Sequence, residues 1–321
     1  MTPPTMPTRW RRSIGALLLC AVAQVQSLAH AATAELPPKG EVSSAQRRTL
    51  MHAGVQRSYL IQGAPTVARP PLVVLLHGGT QTAEQVWRQT SLPTIARQSG
   101  FIVVAPQGVG KHWNDGRGST LDPRGPSSAD DVGFLRALIG EVIARDHADS
   151  GAVFMVGASN GGFMTMRFAC AAADLLRAGA SALANLPRGD AVTCRPAKPL
   201  PWLAINGTDD PLIPFAGQPE ASATLPALLS ADASFAFWAD QARCAATLTT
   251  RRDGAIERRE RASCAGDTRS VQIVMHGGGH VWPGLPIESR LVQRVVGAPI
   301  LSLDTGTVVW EHFRSTLGPA R

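Results

Sequence analysis

Several features that mark other classes of protein are scarce or missing in this chain of 321 residues. It holds one tyrosine, aromatic residues make up 5% of it, and lysine occurs only at Lys39, Lys111 and Lys198. The formal net charge is +7, but no dense basic run with interleaved aromatic residues occurs, which argues against nucleic-acid binding. No CxxC pair is present, and we expect no metal site.

An apolar run near the N-terminus is too short to anchor the chain in a membrane. It covers residues 14–25, follows three arginines at 9, 11 and 12, and precedes the triplet Ala29-His30-Ala31. A basic start, a short apolar core and an A-x-A triplet are typical of a secretory signal peptide. We therefore expect cleavage after Ala31, or alternatively after Ala34, and a secreted protein, extracellular or periplasmic, without stable membrane insertion.

The remainder of the chain predicts a linker and one domain. After the leader at 1–31 we expect a linker over residues 32–45 and a single domain over residues 46–321, because no internal repeat occurs and the length suits one large α/β domain. Its cysteines are even in number, which suits an oxidising compartment: Cys170, Cys194, Cys244 and Cys264. Four cysteines permit three connectivities.

A G-x-S-x-G pentapeptide is centred on Ser159, within VFMVGASNGGFMTMRFA. Val153 to Val156 is predicted as a short buried strand, and Phe163 to Leu176, which lacks proline and glycine, as a helix. A serine on a sharp turn between strand and helix, with small glycines on either side, exposes its hydroxyl to a histidine base. Ser159 is therefore the predicted nucleophile.

A second glycine-containing loop predicts an oxyanion hole. The apolar strand candidate PLVVLLH runs into Gly78-Gly79-Thr80-Gln81, which resembles the HGGG-type loop whose backbone N–H groups face a carbonyl oxygen. We expect one donor at the N–H of Asn160, directly after the nucleophile, and the other at the N–H of Gly79 or Thr80.

An acid and a base follow the serine in the order that such hydrolases use. The strand-like WLAIN leads into two carboxylates, of which Asp210, directly before proline, is the predicted acid and Asp209 the alternative. The strand-like VQIVM leads into HGGGH. We predict His280 as the base, since three glycines give its loop freedom to reach the serine, and His276 as a structural histidine at the strand end.

Together these motifs resemble a known family. HGGTQTAEQVW, WNDGR, DDVGFLRALI, GASNGGFMTMRFAC, INGTDDPLIPF and GGGHVWPG, in this order, are similar to the secreted polyhydroxybutyrate (PHB) depolymerase and feruloyl esterase group. The resemblance implies an α/β-hydrolase fold, a mostly parallel central sheet flanked by helices in a single domain, and an esterase without metal or organic cofactor. It also implies ester substrates such as polyhydroxyalkanoates, or feruloyl and acetyl groups on xylan. Gly79 stands where many depolymerases have cysteine, which favours the esterase branch.

The same resemblance bears on the cysteines and on substrate binding. It implies the pairs Cys170–Cys194 and Cys244–Cys264, each of which closes a short local loop. Trp282, which follows the predicted base closely, and Trp113 are expected in loops where an indole stacks on a feruloyl ring or a sugar face. The segment Leu212 to Phe215 is expected to form part of an apolar acyl pocket.

Two other hypotheses remain open on the sequence. A serine peptidase of the prolyl-oligopeptidase kind shares the serine motif and the order of the three residues. A non-catalytic secreted binding protein on a hydrolase scaffold would have no physical need to keep all three. Ester hydrolysis, lost on substitution of Ser159, separates these possibilities.

Overall fold

The computed structural model of the chain describes residues 39–42, 45–64, 66–117, 128–221 and 226–318. The predicted leader at 1–31 lies outside these ranges, as does most of the predicted linker. Within the described ranges, no helix has the length and apolar character that a membrane crossing requires.

One sheet organises the described part of the chain. Its strands are β1 (Gln46–His52), β2 (Val55–Gln62), β3 (Leu72–Leu76), β4 (Ile102–Pro106), β5 (Val153–Ala158), β6 (Ala178–Ala182), β7 (Trp202–Gly207), β8 (Leu248–Asp253), β9 (Ile256–Cys264) and β10 (Thr268–Met275). Their spatial order is β1-β2-β4-β3-β5-β6-β7-β10-β9-β8. The strands from β4 to β10 in that order run parallel, and an antiparallel pair extends the sheet at each edge.

Helices cover both faces of this sheet. They are α1 (Ala83–Gln89), α2 (Leu92–Ser99), α3 (Asp131–Asp146), α4 (Asn160–Ala172), α5 (Arg188–Thr193), α6 (Ala231–Gln241), α7 (Arg290–Val296) and α8 (Thr305–Ser315). A parallel sheet is buried on both faces, and its strands accordingly read as unbroken apolar runs such as LVVLL in β3. The predicted fold class, a mostly parallel sheet flanked by helices, is confirmed.

The hydrophobic core lies in two layers, one on each face of the sheet. On one face α3, α4 and α6 contribute large side chains such as Phe134, Phe168 and Trp238. On the other face α1, α2 and α8 contribute side chains such as Trp87 and Phe313. The local sequence sets where these helices begin, since the side chains of Thr82, Asp130 and Ser230 cap the first turns of α1, α3 and α6.

The hairpin of β8 and β9 lies between α6 and β10 in the chain and extends the sheet beyond β10, a feature that the sequence motifs did not predict. Arg259 and Arg261 of β9 pair with Asp232 and Asp240 of α6, each at 2.7 Å. Both aspartates are largely exposed, and exposed ion pairs contribute only about 0.2–1 kcal/mol. The disulfide Cys244–Cys264 therefore provides the stronger link, of about 3 kcal/mol on the chain-entropy model.

The second disulfide joins the helix behind the serine motif to the chain after α5. It pairs Cys170 with Cys194 across 24 residues of sequence. Cys170 belongs to α4 and Cys194 ends α5. Both pairings that the resemblance implies are thus present in the structure.

A buried histidine in α8 makes the fold sensitive to acid. The His312 ring contacts the ring of Phe313, and burial of the His312 side chain lowers its pKa to about 3. In the unfolded chain a histidine titrates near about 6.5, so the unfolded state takes up a proton that the native state excludes as the pH falls below that value. The contribution of neutral His312 to the free energy of unfolding is therefore fully present above pH ~6.5 and is lost progressively as the pH falls towards ~3.

We expect the wild-type protein to lose about 2 kcal/mol more stability than His312→Leu between pH 7.5 and pH 5. Leucine keeps an apolar side chain in the buried site and takes up no proton in the unfolded state. Urea unfolding at the two pH values measures the difference, and His147→Asn, at an exposed position with a left-handed backbone, is the control that keeps the wild-type dependence. Equal pH dependence in His312→Leu and the wild type would contradict the assignment.

Candidate active site

The predicted site residues follow parallel strands and meet at one edge of the sheet. Ser159 follows β5, Asp210 lies shortly after β7, and His280 follows β10. The glycine loop 78–81 follows β3. The carboxyl ends of parallel strands lie at the same edge, so the fold brings four segments that are distant in sequence to one place.

Ser159 occupies a strained turn between β5 and α4. Its backbone has φ 54° and ψ −123°, a region that residues with a side chain rarely adopt. The neighbouring glycines leave no room for side chains: a Cβ on Gly157 would lie 2.3 Å from the Gly161 carbonyl oxygen, and one on Gly161 would lie 2.5 Å from the His77 carbonyl oxygen. The G-x-S-x-G pattern is therefore required by packing, and it holds the hydroxyl at the end of the strand.

A chain of hydrogen bonds connects Ser159, His280 and Asp210. The Ser159 Oγ lies 2.9 Å from His280 Nε2, and His280 Nδ1 lies 2.7 Å from Asp210 Oδ2. An ionised carboxylate only accepts hydrogen bonds, so Nδ1 carries the proton and donates it to Asp210. Nε2 is then free to accept the hydrogen bond from the serine hydroxyl, which is the tautomer that a general base requires.

The two neighbouring aspartates have different surroundings. Asp210 is buried, and its Oδ1 accepts hydrogen bonds from the backbone N–H groups of Leu212 and Ile213, both at 2.8 Å. Asp209 is exposed, and its Oδ1 accepts a hydrogen bond from the Thr208 hydroxyl. The structure therefore places Asp210, and not Asp209, against His280.

The loop that carries His280 is held by backbone contacts. The His280 N–H donates to the Val296 carbonyl at 2.5 Å, and the Gly279 N–H donates to the Ala298 carbonyl at 2.8 Å. A Cβ on Gly279 would lie 2.3 Å from the Val296 oxygen, so glycine is needed for this close approach. His276, four residues earlier, pairs with Glu257 at 2.7 Å and has no contact with Ser159.

Three backbone N–H groups near Ser159 remain available as oxyanion donors. Among the hydrogen bonds of the described residues, none is donated by the N–H of Gly79, Thr80 or Asn160. The Gly78 N–H is already committed to the Gln81 side chain at 3.0 Å. Asn160 is the first residue of α4, where N–H groups have no partner within the helix and the helix dipole favours negative charge.

A buried histidine contacts the glycine loop 78–81, a role that the sequence motifs did not predict. His77 contacts the Gly78 carbonyl through Nδ1 at 2.7 Å, and its Nε2 accepts the Gly108 N–H at 3.0 Å. Burial lowers the pKa of His77 to about 4, so the ring is neutral above that pH and donates from Nδ1. Its position at a strand end directly before two glycines was the only sequence feature that pointed to it.

Trp113 does not have the predicted stacking role. The side chain is only 3% exposed and does not line the cavity at Ser159. Its indole Nε1 donates to the His77 carbonyl at 2.9 Å, and its ring lies 4.9 Å from the His77 ring. Its backbone N–H donates to the Asn160 side chain at 2.8 Å, and that side chain in turn donates to the Trp113 carbonyl and to Asp115. Trp113 therefore bridges the two segments that carry the predicted oxyanion donors.

Trp113→Phe is expected to lower kcat about 3- to 30-fold with KM changed less than two-fold, since the aromatic ring remains but the donor to His77 is lost. Steady-state ester kinetics measure the effect. Trp310→Phe, which replaces a tryptophan buried on the other side of the sheet, is the matched control for loss of stability. A kcat that is unchanged, or that falls equally in both variants, would show that the bridge is not needed for turnover.

A cavity of about 480 Å³ opens at Ser159 and His280. Trp282 lines it although the side chain is only 4% exposed, so the indole forms part of the wall. Of the predicted pocket segment 212–215, Leu212 lines the cavity, whereas Ile213 is buried in the core. In the described part of the chain, no Asp, Glu, Lys or Arg lines the cavity, and no cluster of side chains suited to hold a metal ion is found.

The known proteins that this chain resembles are named as esterases. The family model "Esterase PHB depolymerase" matches residues 56–184, which include the glycine loop 78–81 and Ser159. The putative esterase NocK of Nocardia uniformis subsp. tsuyamanensis is 32% identical over 291 residues, covering 84% of this chain and 83% of that protein. Feruloyl esterase B of Piromyces equi is 28% identical over 219 residues, which are 65% of this chain and 39% of that protein.

Two acetylxylan esterases extend the comparison. Acetylxylan esterase A of Aspergillus oryzae is 27% identical over 135 residues, 41% of this chain and 43% of that protein. The chain thus spans less than half the length of these feruloyl and acetylxylan esterases. The solved structure of acetyl xylan esterase from Aspergillus awamori has a TM-score of 0.54 at 16% identity, covering 78% of this chain and 98% of that chain, a likeness that shows the shared fold.

Proposed function

This chain belongs to the PHB depolymerase family of esterases, and from that premise we propose that it is a secreted serine hydrolase that cleaves carboxylic esters through an acyl-serine intermediate. Ser159 is the nucleophile, His280 the general base and Asp210 the acid that orients the base. The observation that carries this proposal is the pair of hydrogen bonds, 2.9 Å and 2.7 Å, that connect the three side chains in that order.

In the proposed mechanism each group has one step. As Ser159 Oγ attacks the ester carbonyl, its proton passes to His280 Nε2, and the buried carboxylate of Asp210 stabilises the imidazolium that forms. The N–H groups of Asn160 and of Gly79 or Thr80 receive the developing oxyanion. His280 then protonates the leaving alcohol, and a water molecule activated by the same nitrogen releases the acid and restores Ser159.

The hydrogen bonds around Trp113 and His77 supply the rigidity that this chemistry needs. An oxyanion donor contributes only if it is already in place when charge develops, and loss of one such donor typically costs about 100- to 1000-fold in turnover. His77 fixes the Gly78 carbonyl, and Trp113 connects His77 to Asn160. These contacts support a site whose donors are in position before substrate binds.

Acyl esters of the kinds named for the relatives are the first substrates to test. Purified mature protein is incubated in parallel with methyl ferulate, acetylated xylan, hydroxybutyrate oligomers and a proline-containing peptide, beside Ser159→Ala. We expect ester hydrolysis by the wild type and none by the variant. Cleavage of the peptide with all three esters intact would favour the peptidase hypothesis. Equal inactivity of both proteins would favour a binding protein.

Export is part of the same proposal. The basic and apolar pattern of residues 9–25 and two disulfides support a route through an oxidising compartment. Expression of the full chain in a bacterial host with a periplasm should give a mature protein that begins at Ala32, measured by mass spectrometry of the N-terminal peptide. A protein that retains residues 1–31 and stays in the cytoplasm would contradict it.

A further inference from the structure

The residues that line the cavity at Ser159 form a polar group and an apolar group, which come from different segments of the protein. Its polar side chains other than the proposed catalytic ones come from the oxyanion loop and two nearby positions: Thr80, Gln81, Gln89 and His112. Gln81 is already bonded to the Gly78 N–H. The larger apolar side chains come from residue 183, from Leu212 and from the segment 281–296. The cavity therefore has an extended apolar wall beside a small polar part.

The innermost part of this wall is nearly buried. Leu183, Val281 and Trp282 line the cavity, yet each is at most 5% exposed. Leu183 has φ 54°, a left-handed conformation that is unfavourable for leucine, and its N–H donates to the Ile205 carbonyl at 2.8 Å. The preceding residue, Ala182, accepts the Ser159 N–H at 2.9 Å, which places this floor next to the nucleophile.

The outer part of the wall is apolar and exposed. Val292 of α7 lines the cavity and is 44% exposed, and Leu212 is 42% exposed. None of the residues of α7 is buried, although the helix carries leucine and three valines. The Val296 carbonyl, at the end of α7, accepts the His280 N–H, so the helix is fixed at the mouth.

Desolvation favours one class of ligand in such a cavity. No charged side chain of the described residues lines it, so an anionic or strongly hydroxylated group would lose hydration without gaining an ionic partner. An aliphatic chain has no hydrogen bonds to water to lose, and each methylene that leaves water makes binding more favourable. The volume of about 480 Å³ is within the usual range for binding of small organic ligands.

We propose that the cavity binds an aliphatic chain of about four to eight carbons on the ester, so that the preferred substrates are medium-chain aliphatic esters rather than acetyl or feruloyl esters of polysaccharide. The inference rests on the proposed function. In this proposal Leu183, Val281 and Trp282 form the floor of the site for the aliphatic chain, and Leu212 and Val292 form its outer wall. The aliphatic chain belongs either to the acyl group or to the alcohol of the ester, and the experiment distinguishes the two.

Two series of esters provide the test. In the first, p-nitrophenyl esters carry acyl chains from acetate to octanoate. In the second, alkyl acetates carry alcohols from ethanol to octanol. We expect kcat/KM to rise about two- to four-fold per methylene up to hexanoate or hexanol in one series, and the series in which it rises identifies the side that occupies the wall.

A matched pair of variants on α7 tests the location. Val292→Asp puts a carboxylate on the outer wall. It should lower about ten-fold the ratio of kcat/KM for the octanoate ester to that for the acetate ester, or the same ratio for octyl acetate and ethyl acetate. Leu291→Asp is the control, because Leu291 is 70% exposed, belongs to the same helix and does not line the cavity. It should leave the ratio within two-fold of the wild type.

The outcomes separate this inference from the proposed function. The site for the aliphatic chain is overturned if p-nitrophenyl acetate is hydrolysed but kcat/KM does not rise along either series. It is also overturned if methyl ferulate is cleaved faster than the best aliphatic ester. The esterase proposal stands in both cases. An equal fall of the ratio in Leu291→Asp and Val292→Asp also overturns its location. Absence of hydrolysis in every arm overturns the esterase proposal itself.

Discussion

Ser159→Ala should abolish ester hydrolysis, with kcat lowered about 10⁴- to 10⁶-fold, while the fold is retained. The loss is large because the variant has no oxygen to form the acyl intermediate, although the oxyanion donors and the cavity remain. Stability should change little, since alanine at φ 54° carries the same backbone strain as serine. Steady-state kinetics with p-nitrophenyl esters and thermal unfolding measure the two effects.

Ser150→Ala is the matched control for this prediction. Ser150 is exposed and precedes β5, whereas Ser159 follows the opposite end of the same strand. The control should retain wild-type kcat. Residual activity above a few per cent in Ser159→Ala, after exclusion of contaminating wild-type enzyme, would mean that another group attacks the ester.

Asp210→Asn is expected to lower kcat about 10³- to 10⁴-fold with little change in KM. The two backbone N–H groups of Leu212 and Ile213 hold Oδ1, so the amide nitrogen of the variant would face His280 Nδ1. An amide N–H donates where the carboxylate accepted, which forces the proton of the imidazole to Nε2. That tautomer cannot accept the proton of Ser159.

Asp209→Asn makes the same chemical change at the neighbouring position. Asp209 is exposed and bonds to Thr208, so this variant should keep kcat within about two-fold. The pair is compared by kcat at saturating substrate together with KM. A larger loss in Asp209→Asn than in Asp210→Asn would reverse the assignment of the acid.

The sequence was most informative where backbone geometry permits few residue types. The G-x-S-x-G pentapeptide has glycines that packing requires, and its position between an apolar run and a helix predicted β5, Ser159 and α4. The order of the four motifs then placed Asp210 and His280, because each follows a buried strand and parallel strands end at one edge.

Roles that depend on long-range side-chain contacts were not predictable in the same way. Trp113 was expected to stack on substrate because its segment contains no strand or helix pattern, yet it donates to His77, 36 residues earlier in the chain. No local pattern encodes that contact. The hairpin β8–β9 was also missed, since its strands are polar, with β8 exposed and β9 mostly half-buried, and therefore lack the apolar runs of the central strands.

The apolar wall of the cavity was only partly visible in the sequence. Leu212 was expected there, but Leu183 and Val292 come from segments with no catalytic motif. Leu183 reaches the site through a left-handed turn after β6, and Val292 through a short helix fixed to the loop of His280. Both depend on the order of strands in the sheet, which is a property of the whole fold.

Covalent labelling of Ser159 is the most direct measurement of the central claim. The mature protein is treated with diethyl p-nitrophenyl phosphate, released p-nitrophenol is counted against protein, and the labelled peptide is mapped by mass spectrometry. We predict one equivalent of p-nitrophenol and one diethyl phosphoryl group per chain, located on Ser159 and absent in Ser159→Ala. An unlabelled wild-type protein that still hydrolyses esters, or a label on another residue, would contradict the assignment of Ser159 as the nucleophile.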